Sequence, residues 1–404
     1  QPVPLKLKLN EKDVAKFYVN QYRFPGVSIQ SQMMRYYPLG KPLASVLGYV
    51  GRINSREINQ VNDINYRATN YIGKTGIEKY DEKILHGTVG VEQAEIDASG
   101  RIVRILKRTP PIPGKNLTLT IDAKLQTFAY HALGKNSGAI VAINPNNGEI
   151  LALVTKPTYD PNLFVNGITS KQYQQLLNAK QHPLYNRSIH GVYAPGSTVK
   201  PFYAIAGLNN KIITRNYKIY DIGRFKLPNT HHIYHDWKFN GHGWVNVTKA
   251  IMVSCDVFFY NLAVNMGIDR LDQTLRTFGF GKTTNIDLPN ESTGLVPTPE
   301  WKIKYRGHPW YTGDTVIAGI GQGFVLVTPL QLANATAMVA MRGKQYQPHL
   351  LRDTPPQLVS SLTLTNPNIW HTVIAAMRKV ITSPYGSAES FDRHPSYTVA
   401  AKTG

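Results

Sequence analysis

Three prolines in six residues, Thr109-Pro-Pro-Ile-Pro-Gly114, divide the chain. Proline fixes φ and has no N–H, so neither a helix interior nor a sheet interior accepts such a run. A stiff surface connection does. The run predicts a boundary, with one domain over 1–112 and a second over 113–404. In the first, short β-rich stretches such as Ser45-Val-Leu-Gly-Tyr-Val50 alternate with Pro and Gly turns, and one helix is expected around Ile77 to Leu85. This reads as an elongated, mixed, non-catalytic module.

Beyond the boundary the periodicity changes. A strand is expected over Leu117–Ile121 and a helix over 122–133 with Asp122 as its N-cap. A hairpin follows, with strands 138–143 and 149–154 around the turn Asn144-Pro-Asn-Asn-Gly148. Apolar residues at three-to-four spacing then predict helices near 170–179, 198–209, 246–266, 269–278, 328–342 and 368–382. The last strand expected is Tyr397–Ala401. Strands at both ends with helices between them indicate an α+β fold, a sheet sandwiched by helices.

Charge narrows the partners. The 404 residues carry 45 Lys plus Arg against 25 Asp plus Glu, a net +20, which suits a polyanion. The basic residues are spread along the chain, without zinc-finger spacing or an RNA-binding aromatic signature, so no nucleic acid is expected. No run of 18 or more uncharged apolar residues appears. The chain starts at Gln1 and not at Met, so a leading segment, with room for an anchor, is expected to be missing.

Of 17 serines, only Ser197 has a Lys three residues later, in Tyr193-Ala-Pro-Gly-Ser-Thr-Val-Lys200. Pro195-Gly196 forces a tight entry, and Pro201 is tolerable in a first helical turn. Ser197 at a helix N-terminus, with Lys200 on the same face, makes an activated nucleophile. Alone, the tetrad is more often an ordinary capped helix. Ser254-Cys-Asp256 interrupts the apolar run Ala250–Tyr260, and Lys402-Thr403-Gly404 follows the last expected strand, where a cation and a hydroxyl suit a carboxylate. Each has a decoy. Ser390-Phe-Asp392 repeats S-x-D, and Lys74-Thr-Gly76 repeats K-T-G ahead of the serine, where it reads as a turn.

The ordered set S-x-x-K, S-x-[ND], K-T-G is that of penicillin-binding proteins and β-lactamases. The chain as a whole resembles the class B penicillin-binding proteins, in their elongation-specific branch. Further matches are Asn20-Gln-Tyr-Arg-Phe-Pro-Gly26, Arg35-Tyr-Tyr-Pro38, Gly76-Ile-Glu-Lys-Tyr80, Leu85-His-Gly87, Tyr159-Asp-Pro-Asn-Leu-Phe164, Met266-Gly-Ile-Asp-Arg270 and Gly319-Ile-Gly-Gln-Gly323. The resemblance implies a transpeptidase-like fold with an all-helical subdomain, set on a pedestal of the dimerisation type. It implies a D,D-transpeptidase that cross-links peptidoglycan stem peptides and is a target of β-lactams.

Residue by residue, the resemblance makes Ser197 the acylating nucleophile and Lys200 its base, with a pKa depressed by burial or by the second cation Lys402. Ser254 would relay a proton to the departing D-Ala, and Asp256 would position the network. Family members commonly carry Asn at that last position. Lys402 and Thr403 would hold the substrate carboxylate. The N–H of Ser197 and one just beyond Gly404 would form the oxyanion hole. Because the family continues past K-T-G, the chain is expected to be truncated there. The resemblance further implies a RodA-type SEDS glycosyltransferase and an MreC-type scaffold as partners. It also implies a single-pass inner-membrane anchor, absent from this chain, and a periplasmic catalytic domain.

One thiol remains. Cys255 follows Asp221, Asp236 and His242 at successive spacings of 15, 6 and 13 residues. One thiolate, one imidazole and two carboxylates would fill a closed tetrahedral zinc site, structural and not required for the chemistry, although His231, His232 and His235 compete with His242. Some members of the resembled family look zinc-bound at such positions. Two other readings stay open: a silent scaffold that activates a polymerase, and a hydrolase of the D,D-carboxypeptidase or β-lactamase type. A β-lactamase would need a deacylating base, and no residue suggests one.

Overall fold

The structure is a computed structural model. It describes residues 5–404 apart from 7, 30, 32, 60, 62–64, 67–69, 99–101, 389–390 and 392–395. The decoy residues Ser390 and Asp392 therefore lie outside the described residues. The chain divides into two compact units that alternate along the sequence. One comprises residues 1–138, 153–186 and 287–289, the other 139–152, 187–286 and 290–404.

In the first unit, α1 (Glu11–Val19) is capped by Asn10, whose side chain accepts from Asp13 N. Residues 45–49 are not a strand. Pro42 starts a 3-10 turn at Lys41–Leu43 that runs into α2 (Ala44–Leu47), and Gly48 at φ +74° ends it. The ladder starts later, where β1 (Val50–Arg52) pairs antiparallel with β2 (Tyr71–Gly73). The helix expected over 77–85 is two, α3 (Gly76–Tyr80) and α4 (Glu82–His86), broken at Asp81. Lys74 is ion-paired with Glu57 and Thr75 is the N-cap residue of α3, so the early K-T-G is the link from β2 into α3 and not a turn. β3 (Val91–Ile96) pairs with β4 (Ile102–Thr109). Residues 117–121 form no strand and hold one bridge residue, Leu119. Asp122 does cap α5 (Ala123–Ala132), accepting from Lys124 N at 2.8 Å and Leu125 N at 3.0 Å. Two further helices follow, α6 (Asn162–Val165) and α7 (Ser170–Leu177).

The second unit holds the site. The hairpin of β5 (Gly138–Ile143) and β6 (Ile150–Lys156), of which residues 139–152 belong to this unit, turns where Gly148 N donates to Asn144 O at 2.9 Å. α8 (Lys200–Asn209) is apolar on every face and is correspondingly buried, with Phe202, Tyr203, Ala204 and Ile205 at most 2% exposed. The 246–266 segment is not one helix. It is α9 (Val247–Met252) and α10 (Asp256–Met266), separated by a turn in which Ser254 takes φ +57°. Next come α11 (Ile268–Thr277), α12 (Pro299–Arg306), α13 (Thr312–Ala318), α14 (Pro329–Ala340) and α15 (Asn368–Thr382). α15 packs on α8 and α9, and α10 on α13. Phe202, Phe278 and Phe280 stack at the centre, with centroids 4.8 and 5.5 Å from Phe202.

Among the described residues the strands pair two by two: β7 (Lys218–Asp221) with β10 (Gly243–Asn246), β8 (Arg224–Lys226) with β9 (Ile233–His235), and β11 (Lys344–Tyr346) with β12 (Leu358–Ser361). The strand expected at 397–401 has no ladder. Ala401 N donates instead to Met377 O, at 3.0 Å, on α15.

Candidate active site

Ser197 lies in a 3-10 turn, Gly196–Val199, just ahead of α8 rather than on the helix itself. Two glycines make that turn possible. Gly196 takes φ +55° and donates its N–H to Gly321 O at 2.9 Å. Gly321 takes φ +71°, and a Cβ there would meet Gly196 O at 2.3 Å. The turn therefore rests on the 319–323 loop that leaves α13. Ser197 is half-buried.

Lys200 is completely buried, with 0% exposure. Its Nζ donates to Asp256 Oδ1 at 2.6 Å, to Ser254 O at 2.8 Å and to Ser254 Oγ at 3.4 Å, and sits 5.4 Å above the Phe259 ring. Among the described residues it makes no hydrogen bond to the Ser197 hydroxyl; its contacts all go to the second motif. Burial pulls the Lys200 pKa down, and the Asp256 carboxylate opposes that shift.

Ser254 and Asp256 are buried, not on a solvated helix face. The left-handed turn at Ser254 aims the side chain between two amines. Lys402 Nζ donates to Ser254 Oγ at 2.8 Å and to Thr403 O at 2.7 Å. Burial, and next the Lys200 charge, bring Lys402 down to about 7, with Asp256 opposing. Thr403 Oγ1 is 2.7 Å from Ser387 Oγ. A Cβ on Gly404 would lie 2.9 Å from Thr198 Cγ2, so K-T-G lies beside the nucleophile's turn although it is not on a strand. All three motifs thus converge.

A second cluster adjoins them. Ligand atoms of Asp221, Asp236 and His242 lie within 4.8 Å of one another, and Cys255 Sγ is 3.4 Å from Asp221 Oδ2. His242 Nε2 is 3.2 Å from Asp236 Oδ1. None of His231, His232 and His235 is in that group, and His232 packs edge-on against Tyr234. Burial raises the Asp236 pKa, but hydrogen bonds from His242, Lys238 N and Val257 N bring it down to about 2. Burial and the charges of Asp236 and Asp221 push the Cys255 thiol up.

Sequence reading missed a further role of Asp236. Its Oδ2 accepts from Asp256 N at 2.7 Å and Val257 N at 3.1 Å, capping α10 and joining the cluster to the second motif. Nor did sequence point to Trp237 N donating to Asp256 Oδ2 at 3.2 Å, or to Ser387 beside Thr403. Spacing carries no signal for either. The Gly319-Ile-Gly-Gln-Gly323 run serves only as a family match in the sequence, and its positive-φ glycines are the signal that could have marked a constrained backbone.

The Penicillin binding protein transpeptidase domain family matches residues 138–404, the stretch that carries all three motifs. The chain belongs to the penicillin-binding protein transpeptidase family. The Penicillin-binding Protein dimerisation domain matches residues 1–119. The Acinetobacter baumannii peptidoglycan D,D-transpeptidase MrdA is 47% identical over the whole chain, which spans 61% of that relative's length. A solved Pseudomonas aeruginosa PBP2 in complex with WCK 5153 superposes with a TM-score of 0.84 at 42% identity, covering 93% of this chain and 80% of that one. The Helicobacter pylori PBP2 solved in complex with MreC gives 0.91 at 33% identity, covering 98% and 74%. The fold is α+β, a transpeptidase fold with an N-terminal dimerisation domain.

Proposed function

We propose that the chain is the catalytic part of an elongation-specific peptidoglycan D,D-transpeptidase, with 1–112 as its pedestal and 113–404 as its transpeptidase domain. One observation carries this: Ser254 Oγ lies between the amines of Lys200 and Lys402 beside the Ser197 turn. Ser197 Oγ attacks the penultimate D-Ala carbonyl of a stem peptide, its proton passing to a neutral Lys200, and an ester forms. Ser254 delivers a proton to the departing D-Ala amine, drawing on Lys402 or Lys200. An acceptor amine from a second stem peptide then attacks the ester, giving the cross-link and free Ser197. Thr403 and the charged form of Lys402 bind the donor's terminal carboxylate. The Ser197 N–H faces the developing oxyanion.

β-Lactams would acylate the same hydroxyl. MreC-type and RodA-type SEDS proteins are the proposed partners, and the periplasmic face of the inner membrane is the proposed location. No helix of the described residues is long and apolar enough to cross a membrane. The structural ion would be zinc, held by Asp221, Asp236, His242 and Cys255. The donor set fits. Both carboxylates are at most 5% exposed, and among the described residues neither pairs with a Lys or Arg side chain. Buried carboxylates gathered with a thiol are stabilised by a cation. Such an ion would clamp the loop before the second motif and take no part in acyl transfer.

A fluorescent penicillin, with intact mass and peptide mapping, tests the assignment. Stable label on Ser197, abolished by Ser197→Ala, is expected. Rapid release would favour the hydrolase, and absence of label the silent scaffold.

A further inference from the structure

Beside the active-site loop the second unit carries an aromatic patch that the acyl-transfer chemistry does not use. The Trp301 ring lies 5.9 Å from Tyr305 and 5.3 Å from Phe324, and Trp310 is 6.4 Å from Phe324. The Arg306 guanidinium covers Trp301 at 6.0 Å and Phe324 at 5.5 Å. Tyr305 is 62% exposed, while Trp301, Trp310 and Phe324 are half-buried. The rings are held from beneath. Lys302, 6% exposed, is ion-paired with Asp314 at 2.5 Å and lies within 5.9 Å of the Trp310 and Phe324 rings. This part-buried ion pair supports the rings from one side, Lys304 lies 5.2 Å over Tyr305, and Tyr305 remains the exposed ring of the patch.

The patch continues into the catalytic backbone. Phe324 is three residues from Gly321, whose carbonyl accepts the Gly196 N–H ahead of Ser197. We propose that this patch is a subsite for the glycan strand, a polymer of N-acetylated hexosamines, that brings a stem peptide to Ser197. This rests on the transpeptidase reading. A stem peptide is tethered to its sugar, so a strand whose peptide reaches Ser197 passes within a short peptide's length of the serine. Rigid aromatic planes pack against the C–H faces of pyranose rings and against N-acetyl methyls. Arg306, on the same patch, and the exposed Lys304 complement peptide carboxylates, in keeping with the chain's +20 charge.

The test uses the full chain and the variant Tyr305→Ala/Arg306→Ala, altered at exposed positions away from the acyl-transfer groups. N-Acetylglucosamine tetramer is the binding probe, and uncross-linked strands bearing pentapeptides are the substrate. Wild type should bind the tetramer and the variant roughly fivefold more weakly or worse. Cross-linking of polymeric strands should fall about tenfold, while penicillin acylation of Ser197 stays within about twofold. A wild type that does not bind the tetramer, or a variant that binds and cross-links as wild type does, overturns the proposal. So does a variant whose only loss is capture of a protein partner. Absence of penicillin label on wild-type Ser197 would instead bring down the transpeptidase reading beneath it.

Discussion

Lys402 Nζ stands 2.8 Å from Ser254 Oγ, and the buried Lys200 Nζ stands 3.4 Å from the same hydroxyl. Burial, and next the Lys200 charge, bring Lys402 from 10.5 to about 7, and burial pulls Lys200 down as well. Between those two values the unfolded chain holds a proton that the folded chain has lost, so this group makes stability rise with pH from about 7 to 10.5. Lys402→Met removes the buried charge. Its melting temperature should exceed wild type by a few degrees at pH 6.5 and converge with it toward pH 10. A constant offset at every pH would refute the linkage.

The same titration governs the carboxylate grip. Lys402 is charged below about 7 and neutral above it. Non-covalent affinity for a ligand bearing the donor carboxylate should therefore weaken, by up to about tenfold, as pH rises from 6 to 8.5. Lys402→Arg keeps its charge and should flatten that decline. An equally steep decline in the Arg variant would move the grip elsewhere.

Asp256 holds the Lys200 proton on, through the 2.6 Å contact that opposes the effect of burial. Asp256→Asn removes that opposition, so Lys200 loses its proton at lower pH. The rising limb of the acylation profile with a penicillin should shift to lower pH by about one unit or more. Lys200→Met should cut acylation by about 10²–10⁴ across the profile. An Asn variant whose limb shifts upward would show that Asp256 does not act on Lys200.

Two glycines with the same backbone separate strain from function. Gly307 takes φ +70° with open space around it, whereas Gly321 takes φ +71° against Gly196 O. Gly307→Ala should cost about 1 kcal/mol and leave acylation alone. Gly321→Ala should cost about 2–4 kcal/mol and slow acylation roughly tenfold or more, because the Ser197 turn must move. Denaturant unfolding together with penicillin acylation rates reads both, and equal acylation in the two variants would detach Gly321 from the site.

The sequence reading succeeded where a single local signal decides the outcome. Asp122 caps α5 and Asn144–Gly148 closes the hairpin because a short side chain or a glycine settles each one. The 368–382 helix was legible from its periodicity. Elsewhere tertiary structure overrode the pattern. Ser254 at φ +57° splits a run that reads as one helix, and serine gives no warning of a left-handed turn. Residues 45–50 have β-rich composition, but Pro42 and Gly48 bracket 43–47 into a helical turn, and only Val50 joins a strand. The three motifs were visible, yet which partners hold Lys200 was not, since that depends on contacts 54 and 56 residues away.

Cys255 joins the metal proposal to the catalytic turn. Burial and two carboxylates hold it as a thiol, so zinc taken up here must displace a proton, and affinity should rise with pH. One zinc per chain is expected by elemental analysis. Chelation should lower the melting temperature by roughly 5 °C or more, and Cys255→Ser should weaken retention. Asp236 caps α10 through the N–H groups of Asp256 and Val257, so freeing it loosens the carboxylate that faces Lys200. Metal removal should therefore slow penicillin acylation several-fold, and re-addition should restore it. A chain that keeps both its melting temperature and its acylation rate after complete chelation would leave Asp236 as a helix cap alone.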